Sequence, residues 1–240
     1  MFTNSRSSAL RRLLVEFSSD AMNLASLMVS KDKVLEDLSS CGVTAQTIRH
    51  DMSATCELHS KNIKGTVLER FIGNSQTKHL VLQAPLGAGP LENRLFLVSA
   101  LMETTVDHKM LSERMGLRCF LTPVDEEMTV FNTVLKINHF IGAVNPFVMA
   151  QASCSEVTLL LDKHFLTREM LLFHPMRIDY TTAISPTQLT AFLNTVAPGR
   201  FAYVDLTSAE ALQLPDVVFF RPRTAQYVYI YIYNIPRQRS

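Results

Sequence analysis

The chain has 240 residues, of which 47% are apolar, so it can bury a sizeable core and is not a disordered polypeptide. Its 23 Lys and Arg against 22 Asp and Glu leave a net charge of +1, which by itself does not indicate a nucleic-acid partner. Contact with a nucleic acid would require a local basic patch. The four cysteines form no C-x-x-C pair, which argues against a zinc site or a disulfide framework. No apolar run approaches the roughly 18 residues of a membrane span, so we expect no membrane partner.

The first half of the chain predicts helices alternating with strands. Apolar residues recur at three- and four-residue spacing from residue 9 to residue 40, which predicts a helix ended by Gly42. "VTAQTIRH" alternates like a strand, and "SKNIKGTVLERFIG" predicts a second helix that ends at Gly73. "TKHLVLQAP" and "RLFLVSAL" predict a hairpin with an enlarged loop. "VDHKMLSERMG" predicts a short helix that Asp107 caps and Gly116 closes.

The second half is richer in strands. "CFLTPVDEEMTVF" predicts a strand followed by a helix opened by Thr122-Pro123, and "INHFIGAVNPFVMAQ" predicts a strand with a Gly–Pro break. Four further strands are expected at "EVTLLLDKHFL", "LLFHP", "DYTTAI" and "FAYVDL", and the run from Ser185 to Gln188 is a capping box that starts a helix. This pattern predicts an α+β domain built on a single curved mixed β-sheet, barrel-like, with short helices around it.

The two ends differ from this domain. Residues 1–30 predict a helical extension, in which arginines among Ser and Leu are faintly similar to an organellar presequence. Glu16 and Asp20 favour an ordinary amphipathic helix, so we expect a cytoplasmic protein and leave organellar import open. Residues 207–240 contain the aromatic alternation "YVYIYIYNI", which suits an edge strand, a partner-binding strand or a tail, and the sequence does not decide among them.

Familiar catalytic signatures are absent from the sequence. There is no G-x-S-x-G elbow, Walker loop or H-E-x-x-H helix, and the seven histidines lack ligand spacing, so we expect no metal and no cofactor. Three features remain: Lys78 directly before an apolar strand, "GAVNP" from Gly142 to Pro146, and His174-Pro175. Each has a common structural explanation, which is a solvated strand-edge lysine, a bulge and a turn respectively. A glycine also lets backbone N–H groups approach a ligand closely.

Taken in order, these features resemble the YbaK family, the editing domains inserted in, fused to or free-standing beside prolyl-tRNA synthetase. The resemblance runs from about residue 31 to residue 206 and includes "TKHLVL", "IGAVNPFVM", "VTLLLDKHFL" and "LLFHPMRIDYTTAISPTQLTAFL". "FHPM", followed by the capped helix, is most similar to the free-standing alanyl-tRNA(Pro) deacylases. The expected division is therefore an extension over 1–30, an editing domain over 31–206 and a second extension over 207–240.

The resemblance implies roles for particular residues. Lys78 would hold the terminus of the aminoacyl-tRNA, and Gly142 would offer backbone donors to the ester. The loop residues Asn145, Pro146 and Phe147 would contact the substrate, and so would His174 and Ile178 in the amino-acid pocket.

Two details of the motif series bear on these roles. "HSKNI", with Lys61, mimics a family motif, but Lys78 is favoured because a strand follows it at once. The family often has Asn where this chain has Ile178, so substrate choice and activity itself stay open at this position.

The implied activity is trans-editing hydrolysis of mischarged aminoacyl-tRNA(Pro), with Ala-tRNA(Pro) favoured, by water attack on the ester in a small size-selective pocket. A pocket built for proline cannot strongly exclude a smaller amino acid, since one methylene is worth only about 1–3 kcal/mol. The implied partners are aminoacyl-tRNA(Pro) and prolyl-tRNA synthetase or a multi-synthetase complex. The alternative is a non-catalytic tRNA-binding or scaffold module of a synthetase complex, and a weaker third idea is a hydrolase of small esters.

Overall fold

The structure is a computed structural model that describes residues 30–124, 144–212 and 214. Several sequence predictions lie outside these residues: the helix before residue 30, the acidic helix after Pro123, Gly142 and the aromatic segment near the C-terminus. No helix in the described ranges is both long enough and apolar enough to cross a membrane.

The described α-helices are short, and local side chains cap their N-termini. They are α1 (Lys31–Ser40), α2 (Cys56–Asn62), α3 (His108–Arg114) and α4 (Pro186–Val196). The side chains of Ser30, Thr55, Asp107 and Ser185 accept hydrogen bonds from the backbone of the first turns, which satisfies donors that a helix leaves unpaired. The predicted capping box is confirmed, since Ser185 and Gln188 bond each other reciprocally.

Eight strands form two sheets among the described residues. They are β1 (Gln46–Arg49), β2 (Thr77–Gln83), β3 (Leu95–Leu101), β4 (Thr122–Pro123), β5 (Val157–Asp162), β6 (Leu171–Phe173), β7 (Tyr180–Ile184) and β8 (Phe201–Val204). A five-stranded mixed sheet has the order β4-β2-β3-β5-β8, and a three-stranded antiparallel sheet has the order β1-β7-β6. The α+β class with a mixed sheet is confirmed. The single expected sheet is divided in two, joined where Gln76 makes a parallel bridge with Leu172.

Buried side chains lie on both faces of the strands, as alternation along a strand requires. The largest cluster joins α1 and α4 to one face of the five-stranded sheet and contains Phe147, Phe173 and Phe192. A second cluster lies on the opposite face against α3, and a third packs the segment after α2 against β6 and β7. The strands therefore carry helices on both faces, and the ends of β1, β6 and β7 meet α2.

Three local predictions differ from the structure. The helix expected over residues 60–73 begins at Cys56 and ends at Asn62, because Thr55 caps it and Gly65 adopts φ +74°. Thr122–Pro123 is a two-residue strand paired with β2 and not the start of a helix. The segment Pro146–Ala150, expected as part of a strand, is a 3-10 helix, because Asn145 caps it and Pro146 occupies its first turn.

Candidate functional site

Three histidines from separate segments meet beside the ends of β1, β6 and β7. His50 follows β1, His59 lies on α2 and His174 follows β6. The ring centroids of His59 and His174 are 4.8 Å apart, and the rings of His50 lie 5.6 Å from His59 and 6.0 Å from His174. We call these three residues the histidine cluster. The spacing of these histidines in the sequence did not predict the cluster, because they belong to no short motif and meet only through the tertiary fold.

The hydrogen bonds of Gln76 fix the tautomer of His59. The Oε1 atom of Gln76 accepts from the backbone N–H of Gly73 at 3.3 Å, so its amide nitrogen is the atom that lies 3.0 Å from Nδ1 of His59. That amide can only donate, so Nδ1 of His59 accepts and Nε2 carries the ring proton. Nε2 of His59 then donates to the hydroxyl of Thr181, 2.8 Å away.

The same hydroxyl orients His50. Nδ1 of His50 lies 2.6 Å from the backbone oxygen of Asp51, which can only accept, so Nδ1 of His50 carries its proton. Nε2 of His50 is therefore bare, and Thr181 Oγ1 donates to it at 2.8 Å. Thr181 thus accepts from one imidazole and donates to the other, and the two rings have opposite tautomers.

His174 is held from its backbone and from Nδ1. Nδ1 donates to the backbone oxygen of Tyr180 at 2.8 Å, which leaves Nε2 bare. The backbone oxygen of His174 accepts from the Asn145 amide and from the N–H of Met176. Met176 has φ +61°, a left-handed conformation that is uncommon outside glycine, and it closes the turn after β6. Among the described residues, Nε2 of His174 has no hydrogen-bond partner.

Burial and the neighbouring imidazoles favour the neutral forms of His59 and His174. Desolvation, and then the nearby His174 and His50, lower the pKa of His59 to about 3. The pKa of His174 is also lowered, chiefly by burial, although its bond to Tyr180 opposes the shift. A neutral imidazole can accept a proton through its bare nitrogen. In this cluster that nitrogen is Nε2 of His174.

By distance alone, the histidine cluster could hold a metal ion, since one nitrogen from each ring lies within 4.8 Å of the others. Its hydrogen bonds do not fit that use. Nε2 of His59 carries a proton, and the Thr181 hydroxyl bonds the Nε2 atoms of both His50 and His59. A metal ligand needs a bare nitrogen directed at the ion.

Lys78 lies on β2, and its Nζ donates to the backbone oxygen of Met102 at 3.0 Å. The β2–β3 ladder continues one step beyond the strands, because Met102 N–H donates to Gln76 O. Alternation therefore places the side chains of Gln76 and Lys78 on the same face. His79 points to the face of β2 opposite to that of Lys78, and it stacks on Phe173, the residue before His174. Among the described residues, no hydrogen bond or ion pair joins Lys78 to the histidine cluster.

The loop before the first 3-10 helix contributes Asn145, Pro146 and Phe147. The amide of Asn145 reaches His174, and its Oδ1 accepts from Phe147 N–H at 3.0 Å. The structure thus brings Asn145 and His174 together. Phe147 lies fully buried between Phe173 and Phe192, with ring centroids 5.5 and 5.8 Å away, so its side chain contributes to the core.

The remaining candidates lie near the histidine cluster or outside the described residues. Ile178 is buried in the turn between β6 and β7, and its backbone oxygen accepts from Ser53 N–H at 3.0 Å. Lys61, the rival lysine, is exposed on α2, two residues after His59. Gly142 lies outside the described residues.

Comparison with known proteins places this site in a family. Residues 67–192 match the aminoacyl-tRNA editing domain. The match covers Lys78, Asn145 and His174, and the chain belongs to this family. Its activity is therefore that of an aminoacyl-tRNA deacylase, which acts on mischarged tRNA.

Solved structures agree on the fold. A hypothetical protein of known crystal structure superposes with a TM-score of 0.52 at 15% identity, over 73% of this chain and 99% of its own. The structure of a candidate trans-editing enzyme for prolyl tRNA synthetase superposes with a TM-score of 0.50 at 15% identity, over 74% of this chain and 97% of its own. No curated protein matches the chain by sequence.

Sequence reasoning missed His50, His59 and Thr181 as members of the site. Their signal was present only in part: "IRHD" ends a strand and "HSKN" lies on a helix, but nothing in one sequence says that these segments meet. The resemblance found His174 because its motif is local.

Proposed function

We propose that the protein hydrolyses mischarged aminoacyl-tRNA(Pro) in trans, with Ala-tRNA(Pro) as the preferred substrate. The observation that carries this proposal is the hydrogen bond from the amide of Asn145 to the backbone oxygen of His174, within the segment that matches the editing family and also contains Lys78. The solved structure described as a candidate trans-editing enzyme for prolyl tRNA synthetase supports the choice of tRNA(Pro).

Hydrolysis of an aminoacyl ester does not require a strong nucleophile, because the ester is already activated. Water attacks the ester carbonyl, the bond to the terminal ribose oxygen breaks, and the products are a free amino acid and uncharged tRNA. Donors aimed at the developing oxyanion supply roughly 3–4 kcal/mol each. In this proposal Lys78 holds the tRNA terminus, Gly142 contributes backbone N–H groups, and Asn145, Pro146, His174 and Ile178 form the pocket wall. The ring of Phe147 supports this wall from the core.

Selection by the size of the amino acid restricts hydrolysis to mischarged tRNA. The pocket admits alanine and rejects the larger proline, so that correctly charged tRNA survives. The proposed unit spans residues 31–206, with extensions over 1–30 and 207–240 that contact prolyl-tRNA synthetase or a multi-synthetase complex in the cytoplasm.

The test is deacylation of Ala-tRNA(Pro), Cys-tRNA(Pro) and Pro-tRNA(Pro) by the wild type, Lys78→Ala and Lys61→Ala. We expect the wild type to prefer Ala-tRNA(Pro), and we expect Lys78→Ala to lose at least tenfold in kcat/KM while Lys61→Ala stays within about twofold. Equal rates for wild type and Lys78→Ala would remove the lysine from the mechanism.

The second candidate function is a non-catalytic tRNA-binding or scaffold module. The observation that favours it is Ile178, an apolar residue at a position where the resembling family often has Asn. Binding of uncharged tRNA(Pro) without hydrolysis of any of the three substrates would support this second function.

A further inference from the structure

The two adjacent residues Tyr180 and Thr181 of β7 order the whole histidine cluster. The backbone oxygen of Tyr180 holds Nδ1 of His174, and the hydroxyl of Thr181 holds Nε2 of both His50 and His59. Because neighbouring strand residues are fixed relative to each other by the sheet, the three rings are held on one rigid element. β7 is itself paired on both sides, with β1 and β6.

These bonds leave a single acceptor in the cluster. Three rings have six nitrogens. The two of His50 bond Asp51 and Thr181, the two of His59 bond Gln76 and Thr181, and Nδ1 of His174 bonds Tyr180. In the part of the chain that the structure describes, only Nε2 of His174 is left with a lone pair and no partner.

We propose that His174 is the general base of the deacylation and that Thr181 is a positioning residue, which locks the neighbouring imidazoles so that Nε2 of His174 alone accepts a proton. This inference rests on the proposed function and adds to it a base, which the sequence did not provide. The family resemblance implies for His174 only a place in the pocket wall.

The step balances without a cofactor. Nε2 of His174 takes a proton from the attacking water as the water oxygen bonds to the ester carbonyl carbon. The tetrahedral species then expels the terminal ribose oxygen, which receives the same proton back from His174. A proton thus passes from water to the leaving group, and the imidazole returns to its neutral state.

The surroundings of His174 favour the neutral form that a base requires. Of the titratable groups around it, His50 lowers the pKa of His174 and Asp179 raises it, while His174 in turn lowers the pKa of His59 and of His79. Burial outweighs the carboxylate, so the pKa of His174 lies below its ordinary value of 6.5. We expect kcat to fall as pH drops through a midpoint below 6.5.

The kinetic test compares Thr181→Val, Thr181→Ser and His174→Gln with the wild type on Ala-tRNA(Pro). Removing a general base costs about 10²- to 10⁴-fold in kcat, so we expect a loss in that range for His174→Gln together with loss of the acidic limb. Valine matches threonine in shape but lacks the hydroxyl, and we expect Thr181→Val to lower kcat about 10- to 100-fold with little change in KM. Serine keeps the hydroxyl, so we expect Thr181→Ser to retain most of the wild-type kcat. His108→Gln, on α3, is the control for loss of a distant histidine.

A second readout needs no activity. Nitrogen NMR of histidine-labelled protein at neutral pH should give opposite tautomers for two rings: Nδ1–H for His50 and Nε2–H for His59, with Nδ1–H for His174. Assignment uses single His→Gln variants. In Thr181→Val the signals of His50 and His59 should average between tautomers, while Thr181→Ser keeps them distinct.

The outcomes separate the possible failures. A wild type that hydrolyses none of the three substrates overturns the proposed function and the base together, while the tautomer spectrum still decides the role of Thr181. An active His174→Gln with an unchanged acidic limb overturns the base alone. Identical spectra and kcat for Thr181→Val and the wild type overturn the positioning role. Zn²⁺ binding that shifts the Nε2 signals of all three rings shows a metal site instead.

Discussion

The ring of His79 is stacked on that of Phe173, with 5.7 Å between their centroids, and Nδ1 of His79 is buried with no hydrogen-bond partner among the described residues. This arrangement makes it costly to place a proton on His79. Burial, and then the repulsion of His174, lower the pKa of His79 to about 3. The stability of the fold should therefore depend on pH.

The first prediction concerns acid. A group whose pKa is lower in the folded state binds its proton more tightly when the chain is unfolded, so stability is complete above about pH 6.5 and is lost as the pH falls towards 3. Each such histidine contributes a slope of up to about 1.4 kcal/mol per pH unit in that window. Urea unfolding at several pH values between 7 and 4.5 measures it.

Two variants separate titration from packing. We expect both His79→Leu and His79→Gln to reduce the slope by up to about 1.4 kcal/mol per pH unit, because neither side chain titrates. Their stabilities at pH 7 should differ from each other, because leucine and glutamine pack differently against Phe173. If the free energy of unfolding of both variants depended on pH as steeply as that of the wild type, the lowered pKa of His79 would not be the cause of the pH dependence.

The second prediction concerns Phe147, which the family resemblance assigns to the substrate. Its ring lies between Phe173 and Phe192 in the core, so Phe147→Ala should lower the free energy of unfolding by about 3–5 kcal/mol. Phe147→Leu, which keeps more of the volume, should cost less than about half of that. A stable Phe147→Ala protein with a raised KM would show instead that the ring contacts the substrate.

The third prediction concerns Ile178, which lies in the turn that holds His174. If its side chain lines the pocket, Ile178→Asn should change the ratio of kcat/KM for Ala-tRNA(Pro) and Cys-tRNA(Pro) by about tenfold or more. Ile178→Val is the matched control, and its ratio should stay within about threefold of the wild type. A lower free energy of unfolding with an unchanged ratio would limit Ile178 to the packing of the turn.

The fourth prediction concerns the start of α4, the helix that follows β7. Ser185 and Gln188 close this helix end reciprocally, at 3.2 Å and 3.0 Å. Ser185→Ala should lower the free energy of unfolding by about 1 kcal/mol. Thr195→Ala, exposed near the other end of α4, should change it by less than about 0.5 kcal/mol. Equal effects of the two substitutions would mean that the cap contributes nothing.

Local sequence signals predicted much of the architecture. Alternation in "TKHLVLQ" and "LFLVSAL" predicted the hairpin of β2 and β3, and Asp107, Gly116 and Ser185 marked helix ends that the structure confirms. These features depend on residues within one or two turns of each other. Where the prediction failed, as at Pro146–Ala150, a side-chain cap at Asn145 competed with a strand-like apolar run.

What the sequence determined by itself was therefore the class of the fold and the positions of most strands, and the resemblance of the local "FHP" motif made His174 a candidate site residue. Only the tertiary structure decided that His50 and His59 join it and that Thr181 binds both, because these residues lie 131 and 122 positions from Thr181 along the chain. Hydrogen bonds across such separations leave no period or spacing in a sequence. They form only once β1, β7 and α2 have packed together, and the chemistry of the site is set at that stage.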